Sequence, residues 1–538
     1  MKKILLAVLP LLLWSCQQKA PELTATQART TDGVVEGTYS ADSAVVVFKG
    51  VPFAAPPVGE LRWREPQPVV AWEGVRQCTE FGDDPAQPHI FGDMNFKAAK
   101  KSEDCLYLNI WKPKDAAGCP VLIYFNGGGL MAGSGSEPRY AGDSLAHHGI
   151  ISITANYREG IFGFFAHPDL TAASPNHTSG NYGILDQVAA IRWVHDNIAA
   201  FGGDPSRITI AGESAGSFSV SVLMASPLSR EYIAGAIGSS GAEMKPSYAQ
   251  PLANAENRSV QLLSEMGATL EQLRALPTDS LMKLMPVRGM SSISIDGYLL
   301  DKTVDDIFAA GEQAKVPLLA GWNSMESTPF GNGKPSLKGF KAMLQSRLGE
   351  RTDEVLKAYG LRKDQDLYSW NAIELAGALF TAFPTWKWCE MHARTDNRVY
   401  RYFYTHPRPA MTAAYSDKEP ALAGGVKDKE KRQPTADDKL RESLKGAVHS
   451  ADIEYAMGNL ATNEVFAWND DDYKVQQNFM CTYINFIKTG NPNGPGVPDW
   501  RPINGEKIAP VMYIDTECKL VANPEVEARY KLLDSVLK

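Results

Sequence analysis

The chain alternates between short apolar runs and longer stretches in which apolar residues recur at helical spacing. The short runs are typical of buried strands and lie at residues 44–48, 120–125, 150–155, 207–211 and 317–320. Between the third and fourth runs, residues 185–201 can place much of their apolar surface on one face of a helix. Strands that alternate with helices predict an α/β fold with a parallel or mostly parallel sheet covered by helices.

Residues 252–310 depart from this alternation, because their pattern is helical without intervening strands. Such a stretch favours a helical excursion from the sheet that forms part of a cap. No linker-like composition divides the chain after residue 31. We therefore predict one large domain over residues 32–538.

The first residues have the order of an export signal. Two lysines precede an apolar core at residues 4–14, which is too short to span a membrane as a mature helix. The segment Leu13-Trp14-Ser15-Cys16 resembles a bacterial lipobox, which predicts a signal peptide at residues 1–15, lipidation of Cys16 and a flexible tether over residues 16–31. An ordinary cleaved signal with an incidental cysteine is the alternative. Gln17 is not the Asp that often retains such proteins at the inner membrane, so we expect an outer-membrane anchor facing the periplasm or the cell surface.

Composition and charge narrow the classes of function. Hydrophobic residues make up 44% of the chain and charged residues 22%, as in globular proteins, and the formal net charge is −8. An acidic chain opposes a nucleic-acid interface, which needs a basic face. Six cysteines follow Cys16, and none has the CxxC or Cys/His spacing of a zinc or redox site.

The sequence GESAG at residues 212–216 carries the clearest chemical signal. It follows a β-branched run at residues 208–210 and precedes a stretch able to form a helix. The pattern G-x-S-x-G at a strand-to-helix turn is typical of a nucleophile elbow, a sharp turn that exposes the serine oxygen. This predicts Ser214 as a nucleophile. A tight turn with an inert serine is the alternative.

Three glycines at residues 127–129 follow the predicted strand 120–125. Ester hydrolysis places negative charge on the carbonyl oxygen, and pre-aimed backbone N–H groups stabilise that charge best. Glycine has no side chain to obstruct the approach, so we predict Gly128, Gly129 and Ala215 as oxyanion donors. A phosphate-binding loop is not favoured, because the run fits neither G-x-G-x-x-G nor G-x-x-x-x-G-K-[ST]. A plain glycine-rich turn is the other alternative.

Longer segments around these motifs resemble one protein family. Residues 48–68, the sequence EDCLYLNIWKP at 103–113 and the sequence FGGDPSRITIAGESAG at 201–216 are similar to segments of type-B carboxylesterases. This family belongs to the carboxylesterase/cholinesterase group of α/β-hydrolases, and the resemblance covers nearly everything from Gly33 to the C-terminus. It implies the α/β-hydrolase fold and a serine, an acid and a histidine in that chain order.

The resemblance also implies the partners of Ser214. The acid is expected at Glu326, within VPLLAGWNSMEST at residues 316–328. The base is expected at His449, within GAVHSADIEYAMGNL at residues 446–460, rather than at His406. Ser240 lies in a matching SGA segment, so the resemblance implies that it hydrogen-bonds close to the site.

Two further implications concern supporting structure. The cysteine of EDCL often bonds an earlier cysteine in related proteins, so we expect a disulfide between Cys78 and Cys105. Asn126 stands where the family usually has His or another ring residue, a position that supports the glycine loop.

The predicted reaction is carboxylic-ester hydrolysis through an acyl-enzyme on Ser214, with no metal or organic cofactor. A glycan-directed esterase that removes acetyl or feruloyl groups is one alternative. A non-catalytic adhesion module of the same fold is another, because fold alone does not establish catalysis. The complete set of Ser214, Glu326 and His449 favours an enzyme, whose substrate is a small-molecule or glycan ester.

The charged segment at residues 416–441 offers no sustained apolar face. Such a segment cannot bury enough surface to offset the entropy of ordering it. We predict a mobile, solvated flap near His449 that tunes the access of bulky substrates. A passive surface insertion is the alternative.

Overall fold

The computed structural model describes residues 23–246, 249–284, 292–330, 335–429, 442–494, 496–505 and 508–537. The predicted signal peptide and Cys16 lie outside the described residues. Within these ranges, no helix combines the length and the apolar composition needed to cross a membrane.

A large mixed sheet forms the centre of the fold. The strands of the described ranges, β1 to β20 in chain order, are Gln27–Arg29, Val34–Glu36, Thr38–Tyr39, Val45–Pro52, Val75–Gln77, Asp84–Pro85, Lys101–Ser102, Tyr107–Pro113, Cys119–Phe125, Ile151–Ala155, Gly203–Glu213, Gly235–Ser239, Gln250–Pro251, Ser294–Ile295, Leu318–Asn323, Val399–Tyr404, Lys418–Pro420, Val426–Asp428, Val511–Ile514 and Lys519–Val521. The central sheet has the order β20-β19-β16-β15-β12-β11-β9-β10-β8-β4-β3. Within this order, the strands β10, β9, β11, β12, β15, β16 and β19 pair in parallel with their neighbours in that set. The remaining pairs, toward both edges of the sheet, are antiparallel.

Helices cover both faces of this sheet. Those of the described ranges, α1 to α16 in chain order, are Asp143–His147, Gly160–Phe164, Pro168–Ala173, Tyr182–Asn197, Ala215–Ala225, Leu252–Met266, Leu270–Ala275, Thr278–Leu284, Val304–Ala309, Leu337–Leu348, Thr352–Ala358, Trp370–Gly377, Phe383–His392, Ile453–Ala456, Asp470–Thr489 and Pro524–Val536. Alternate residues of β9 point to opposite faces, as the period of a strand requires. Val121 and Ile123 pack in the apolar cluster that contains residues of α4 and α5. Leu122 and Tyr124 pack in the other cluster, which contains residues of α15.

The predicted sheet elements are confirmed. Each of the five apolar runs overlaps a strand of the central sheet, with at most one residue of the run lying before the strand starts, and these five are β4, β9, β10, β11 and β15. The predicted helix 185–201 is present as α4 and a following 3₁₀ turn, Ile198–Phe201. Gly202 ends this turn with φ of 85°, a conformation that favours glycine.

The described residues of this stretch, 252–284 and 292–310, contain α6 to α9, as the helical pattern predicted. The sequence pattern missed a short strand there, because β14 has only two residues. It pairs in parallel with β13 beside the start of α6.

The predicted tether, residues 16–31, is wrong at its C-terminal end. Strand β1 pairs antiparallel with β2, and Ala28 is buried. The N–H of Thr31 donates to Asn197 Oδ1 at 2.7 Å, which ties the segment to the end of α4. One buried alanine gives no apolar periodicity, so the sequence pattern could not show this strand.

The segment at residues 416–441, predicted as a mobile, solvated flap, contains two strands in its described part, residues 416–429. Strands β17 and β18 pair antiparallel as a hairpin, and Ala423 in its turn is buried. Polar contacts made by the backbone of the turn hold it against the protein, and such contacts leave no apolar pattern in the sequence. Residues 430–441 lie outside the described residues.

Candidate active site

Ser214 occupies the sharp turn between β11 and α5. Its backbone has φ of 54° and ψ of −124°, a region that non-glycine residues seldom adopt. A Cβ added to Gly212 would lie 2.4 Å from the carbonyl carbon of Gly216. A Cβ added to Gly216 would lie 2.1 Å from the carbonyl oxygen of Phe125. The turn therefore requires both glycines of the motif, and it leaves Ser214 half-buried at a cavity wall.

A continuous chain of hydrogen bonds joins Ser214, His449 and Glu326. Ser214 Oγ lies 2.9 Å from His449 Nε2, and His449 Nδ1 lies 2.5 Å from Glu326 Oε2. Glu326 follows β15, and the N–H of Met325 donates to the carbonyl of Ala447 at 2.8 Å. This backbone contact brings the loop of the acid to the loop of the histidine. The structure thus places together the three residues that the sequence pointed to.

Two donors hold the other carboxylate oxygen of Glu326. Ser240 Oγ donates to Glu326 Oε1 at 2.5 Å, and the backbone N–H of Asn323 donates to the same oxygen at 2.5 Å. Ser240 therefore lies where the resemblance implied. Because Oε1 is occupied, Oε2 is left to face the imidazole of His449.

Glu213 is a site residue that the sequence reasoning missed. Its Oε1 lies 3.3 Å from His449 Nε2, and its side chain is buried. Burial raises the pKa of Glu213 to about 8. Burial lowers the pKa of His449, but the carboxylates of Glu213 and Glu326 outweigh this effect and raise the pKa to about 9. The available signal was the position of Glu213 directly before the serine of the motif.

Replacing Glu213 by glutamine is expected to shift the pH dependence of activity. A base must be neutral to accept a proton, so kcat/KM should rise as the pH passes upward through the pKa of His449. Removing one neighbouring carboxylate lowers that pKa, and the rising limb should move to lower pH by about one unit or more. Profiles of kcat/KM with p-nitrophenyl butyrate test this. A limb that stays in place or moves upward would contradict the electrostatic role of Glu213.

The glycine loop after β9 borders the same cavity. Gly128 and Gly129 have φ of 114° and 68°, and a Cβ on Gly128 would lie 1.6 Å from the carbonyl oxygen of Ala132. Within the described ranges, the N–H groups of Gly128 and Gly129 donate to no protein acceptor. Ala215 begins α5, where helix N–H groups also lack intrahelical partners. Three N–H groups without a protein acceptor in the described part of the chain thus border the cavity beside Ser214.

The cavity in front of Ser214 has a volume of about 710 Å³. Most of its wall is apolar, with contributions from Phe91, Met94, Met131, Phe218, Ile293 and Leu422. The ring of Phe380 meets the ring of His449 edge-on, at 5.0 Å between centroids. Such a wall suits the hydrocarbon part of an ester.

The expected disulfide between Cys78 and Cys105 is wrong, because both residues are free thiols. Both side chains are buried in the apolar cluster of the central sheet. Burial raises the pKa of the Cys78 thiol to about 11 and that of the Cys105 thiol well above its usual range. Each cysteine packs as a small apolar residue instead of forming a bond.

His406 does not belong to the site. Its ring nitrogens lie 2.9 Å from Asp472 Oδ1 and 3.2 Å from Asp515 Oδ1. No group of three or more His, Cys, Asp or Glu side chains in the described part of the chain is placed to bind a metal ion.

The family model for the "Carboxylesterase family" matches residues 24–532. The chain belongs to the carboxylesterase family. It is 40% identical over 390 residues to a fumonisin B1 esterase of Sphingopyxis macrogoltabida, an alignment that covers 67% of this chain and 69% of that protein. It is 31% identical over 529 residues to a para-nitrobenzyl esterase of Bacillus subtilis, with coverage of 94% and 98%.

Solved structures agree with this assignment. A PNB esterase structure superposes with a TM-score of 0.77 at 26% identity, covering 95% of this carboxylesterase and 99% of its own chain. A carboxylesterase of Geobacillus stearothermophilus superposes with a TM-score of 0.76 at 27% identity, with coverage of 94% and 100%. The fold is that of the α/β-hydrolases, and the protein is a carboxylic-ester hydrolase. These relatives give no support to the glycan-directed or adhesion alternatives.

Proposed function

We propose that this carboxylesterase hydrolyses esters through an acyl-enzyme on Ser214, with His449 as base and Glu326 as acid. The observation that carries the proposal is the unbroken hydrogen-bond chain from Ser214 Oγ through the imidazole to the carboxylate. A serine hydroxyl is a weak nucleophile until an adjacent base takes its proton. Glu326 fixes the imidazole tautomer and stabilises the imidazolium that forms.

The proton and the oxyanion have defined positions in this reaction. His449 Nε2 accepts the Ser214 proton while Oγ attacks the ester carbonyl. The negative charge then develops beside the N–H groups of Gly128, Gly129 and Ala215, which need no reorganisation to bind it. The imidazolium gives its proton to the leaving alcohol, and the acyl group stays on Ser214. Water repeats the sequence and releases the carboxylic acid.

The apolar cavity favours esters with a sizeable hydrocarbon part. Each buried methylene contributes about 0.8 kcal/mol, which corresponds to roughly a fourfold gain in kcat/KM. We expect kcat/KM for p-nitrophenyl esters to rise from acetate to hexanoate, and acetylated or feruloylated oligosaccharides to react poorly. Fumonisin B1 belongs in the panel, because a relative with 40% identity is named an esterase of that compound. A preference for the oligosaccharides would overturn the proposed substrate class.

The hairpin of β17 and β18 is proposed to limit the size of the substrate. Leu422 in its turn lines the cavity, and its carbonyl accepts from Ser450 Oγ at 2.8 Å, next to His449. On the other side, the N–H of Ala423 donates to Asp93 Oδ2 at 2.5 Å. The turn therefore spans from the histidine loop to the wall that carries Phe91 and Met94.

Replacing Asp93 by alanine is expected to loosen this contact. A hydrogen bond contributes about 1 kcal/mol, so kcat/KM for a bulky naphthyl ester should rise about three- to tenfold. The value for p-nitrophenyl acetate should change by less than about twofold, because the catalytic contacts stay intact. Asp417→Ala is the control, because Asp417 is an exposed carboxylate that lies directly before β17 of the hairpin, beside Lys418. Equal changes in kcat/KM for both esters would contradict this role and support the alternative that the hairpin is a passive surface insertion.

Membrane anchoring through Cys16 is a separate proposal that rests on the lipobox-like segment alone. A lipoprotein carries more than one acyl chain, which suffices for stable anchoring. Radiolabelled palmitate should enter the wild type and not Cys16→Ala. Equal labelling of both proteins, or of neither, would refute lipidation at this residue.

A further inference from the structure

A buried arginine lies in the otherwise mostly apolar wall of the active-site cavity. Arg139 belongs to the 3₁₀ turn Pro138–Tyr140, lines the cavity and is 5% exposed. Its Nε donates to Glu137 Oε1 at 2.6 Å, and its guanidinium lies 5.6 Å from the ring centroid of Tyr140. Asn459 Nδ2 donates to the carbonyl of Arg139 at 3.0 Å. These contacts fix both the backbone and the side chain, so the guanidinium has a set position at the cavity.

The outer part of this guanidinium has hydrogen-bonding capacity that the protein does not use. Arg139 Nη1 donates to no acceptor in the described part of the chain. Glu454 Oε2 lies 3.9 Å from Nη1, which is too far for a hydrogen bond. A buried N–H group without an acceptor costs free energy, and more so when the group is charged. An oxygen of a molecule bound in the cavity can supply the acceptor.

Arg139 lies at the end of the cavity where the reaction takes place. Burial raises the pKa of Glu213 to about 8, and the charges of His449 and Arg139 oppose this rise. Glu213 Oε1 in turn lies 3.3 Å from His449 Nε2. One part of a small ester can therefore reach Arg139 while its carbonyl carbon is placed at Ser214.

The charges around Arg139 leave room for an anion. Glu137 and Glu454 are the two carboxylates beside it, and Arg408 Nη2 lies 2.9 Å from Glu454 Oε1. Two guanidinium groups therefore balance two carboxylates. Glu213, with a pKa of about 8, is mostly protonated near pH 7. An anion that enters from the cavity consequently meets no excess of negative charge.

A second arginine of the cavity wall is less suited to bind an anion. Arg258 lines the cavity, but it is exposed and its Nη2 donates to Gln250 Oε1. Water and salt screen an exposed charge, whereas a buried charge is screened much less. The buried guanidinium of Arg139 is therefore the stronger anion-binding group.

We propose that Arg139 binds a carboxylate of the substrate, so that this carboxylesterase prefers esters that carry a free carboxylate. The inference rests on the proposed function of Ser214 and deepens it by naming a polar group that the substrate presents to the apolar cavity. A planar guanidinium matches the geometry of a carboxylate, and hydrogen bonds between ionised partners are stronger than those between neutral ones. A carboxylate is therefore favoured over an amide or a hydroxyl group of the same size.

The test uses pairs of esters that differ in charge but hardly in shape. Mono-p-nitrophenyl adipate and p-nitrophenyl adipamate vary the acyl part, and 4-acetoxybenzoate and 4-acetoxybenzamide vary the alcohol part. Near pH 7, wild-type kcat/KM should be about ten- to a hundredfold higher for the acid than for the amide in at least one pair. In Arg139→Gln, this ratio should fall below about threefold, while kcat/KM for the amides stays within about threefold of the wild type.

Arg258→Gln is the matched control, because it removes the same charge from an exposed position of the same wall. It should keep the acid-to-amide ratio within about threefold of the wild-type ratio. If Arg139→Gln does not fold because Glu137 has lost its partner, the double variant Arg139→Gln/Glu137→Gln applies the same criteria. Removing both members of a buried ion pair leaves no unpaired charge behind.

Two results would overturn the inference. Wild-type ratios below about threefold in both pairs would indicate that water alone satisfies Arg139. A ratio that survives Arg139→Gln, or that falls equally in Arg258→Gln, would assign the preference to another group or to the general field of the cavity.

Ser214→Ala separates this inference from the proposed function. If Ser214→Ala still turns over the neutral amide-bearing esters, the proposed function fails. If it loses this turnover while the wild type shows no preference for the acids, the role of Arg139 alone is wrong.

Discussion

Replacing Ser214 by alanine is expected to lower kcat by on the order of 10⁴-fold or more, because the members of a triad act as a unit. The substitution removes the oxygen that lies 2.9 Å from His449 Nε2 and leaves the elbow and the oxyanion donors in place. Initial rates with p-nitrophenyl butyrate measure the loss. Unchanged turnover in a preparation free of wild-type enzyme would refute the assignment.

Ser217→Ala is the matched control for this variant. Ser217 lies in the first turn of α5, three residues after Ser214, and its hydroxyl donates to the carbonyl of Gly241 at 2.5 Å. Each substitution removes one hydroxyl at the N-terminal end of α5, so a general disturbance of this helix would lower the activity of both variants. We expect only the Ser214 variant to lose turnover.

Replacing Glu326 by glutamine is expected to lower kcat by on the order of 10³- to 10⁴-fold. Ser240 and the N–H of Asn323 both donate to Oε1 of the acid, so they will hold the amide oxygen of the glutamine in that place. The amide nitrogen must then face His449 Nδ1 and donate to it. The imidazole consequently carries its proton on Nε2 and cannot accept one from Ser214. Values of kcat measured across the pH range test this expectation.

Asp452→Asn is the control for the acid. Asp452 is buried three residues after His449, but its Oδ1 accepts from Asn323 Nδ2 at 3.0 Å rather than from the histidine ring. Removing this charge should leave kcat within about tenfold of the wild type, because the imidazole keeps its orienting contact. A loss in Asp452→Asn equal to that in Glu326→Gln would contradict the role given to Glu326.

Local sequence was sufficient where a short motif determines geometry. The glycines at 212 and 216 are needed because Cβ atoms would strike the backbone, and their spacing marks Ser214 without further help. Ser214 and His449 are separated by 235 positions, and His449 and Glu326 by 123. Only the order of the strands brings these residues together, so the resemblance of longer segments was needed to name them.

The sequence was a poor guide where contacts leave no pattern. Glu213 precedes Ser214 on a strand, where alternation would point the two side chains to opposite faces. The backbone of Ser214 is not in a strand conformation, so this alternation does not apply there. The side chains of both residues therefore face His449. The turn of the β17–β18 hairpin is held through separate hydrogen bonds to Asp93, Ser450 and Asn463, which no composition could predict.

The acyl-enzyme mechanism is tested most directly by the mass of the enzyme quenched during turnover of p-nitrophenyl butyrate. One added butyryl group is expected, located by peptide fragmentation on Ser214 and absent from Ser214→Ala. A butyryl group on another residue, or turnover with no covalent intermediate under any quench, would contradict the acyl-enzyme mechanism.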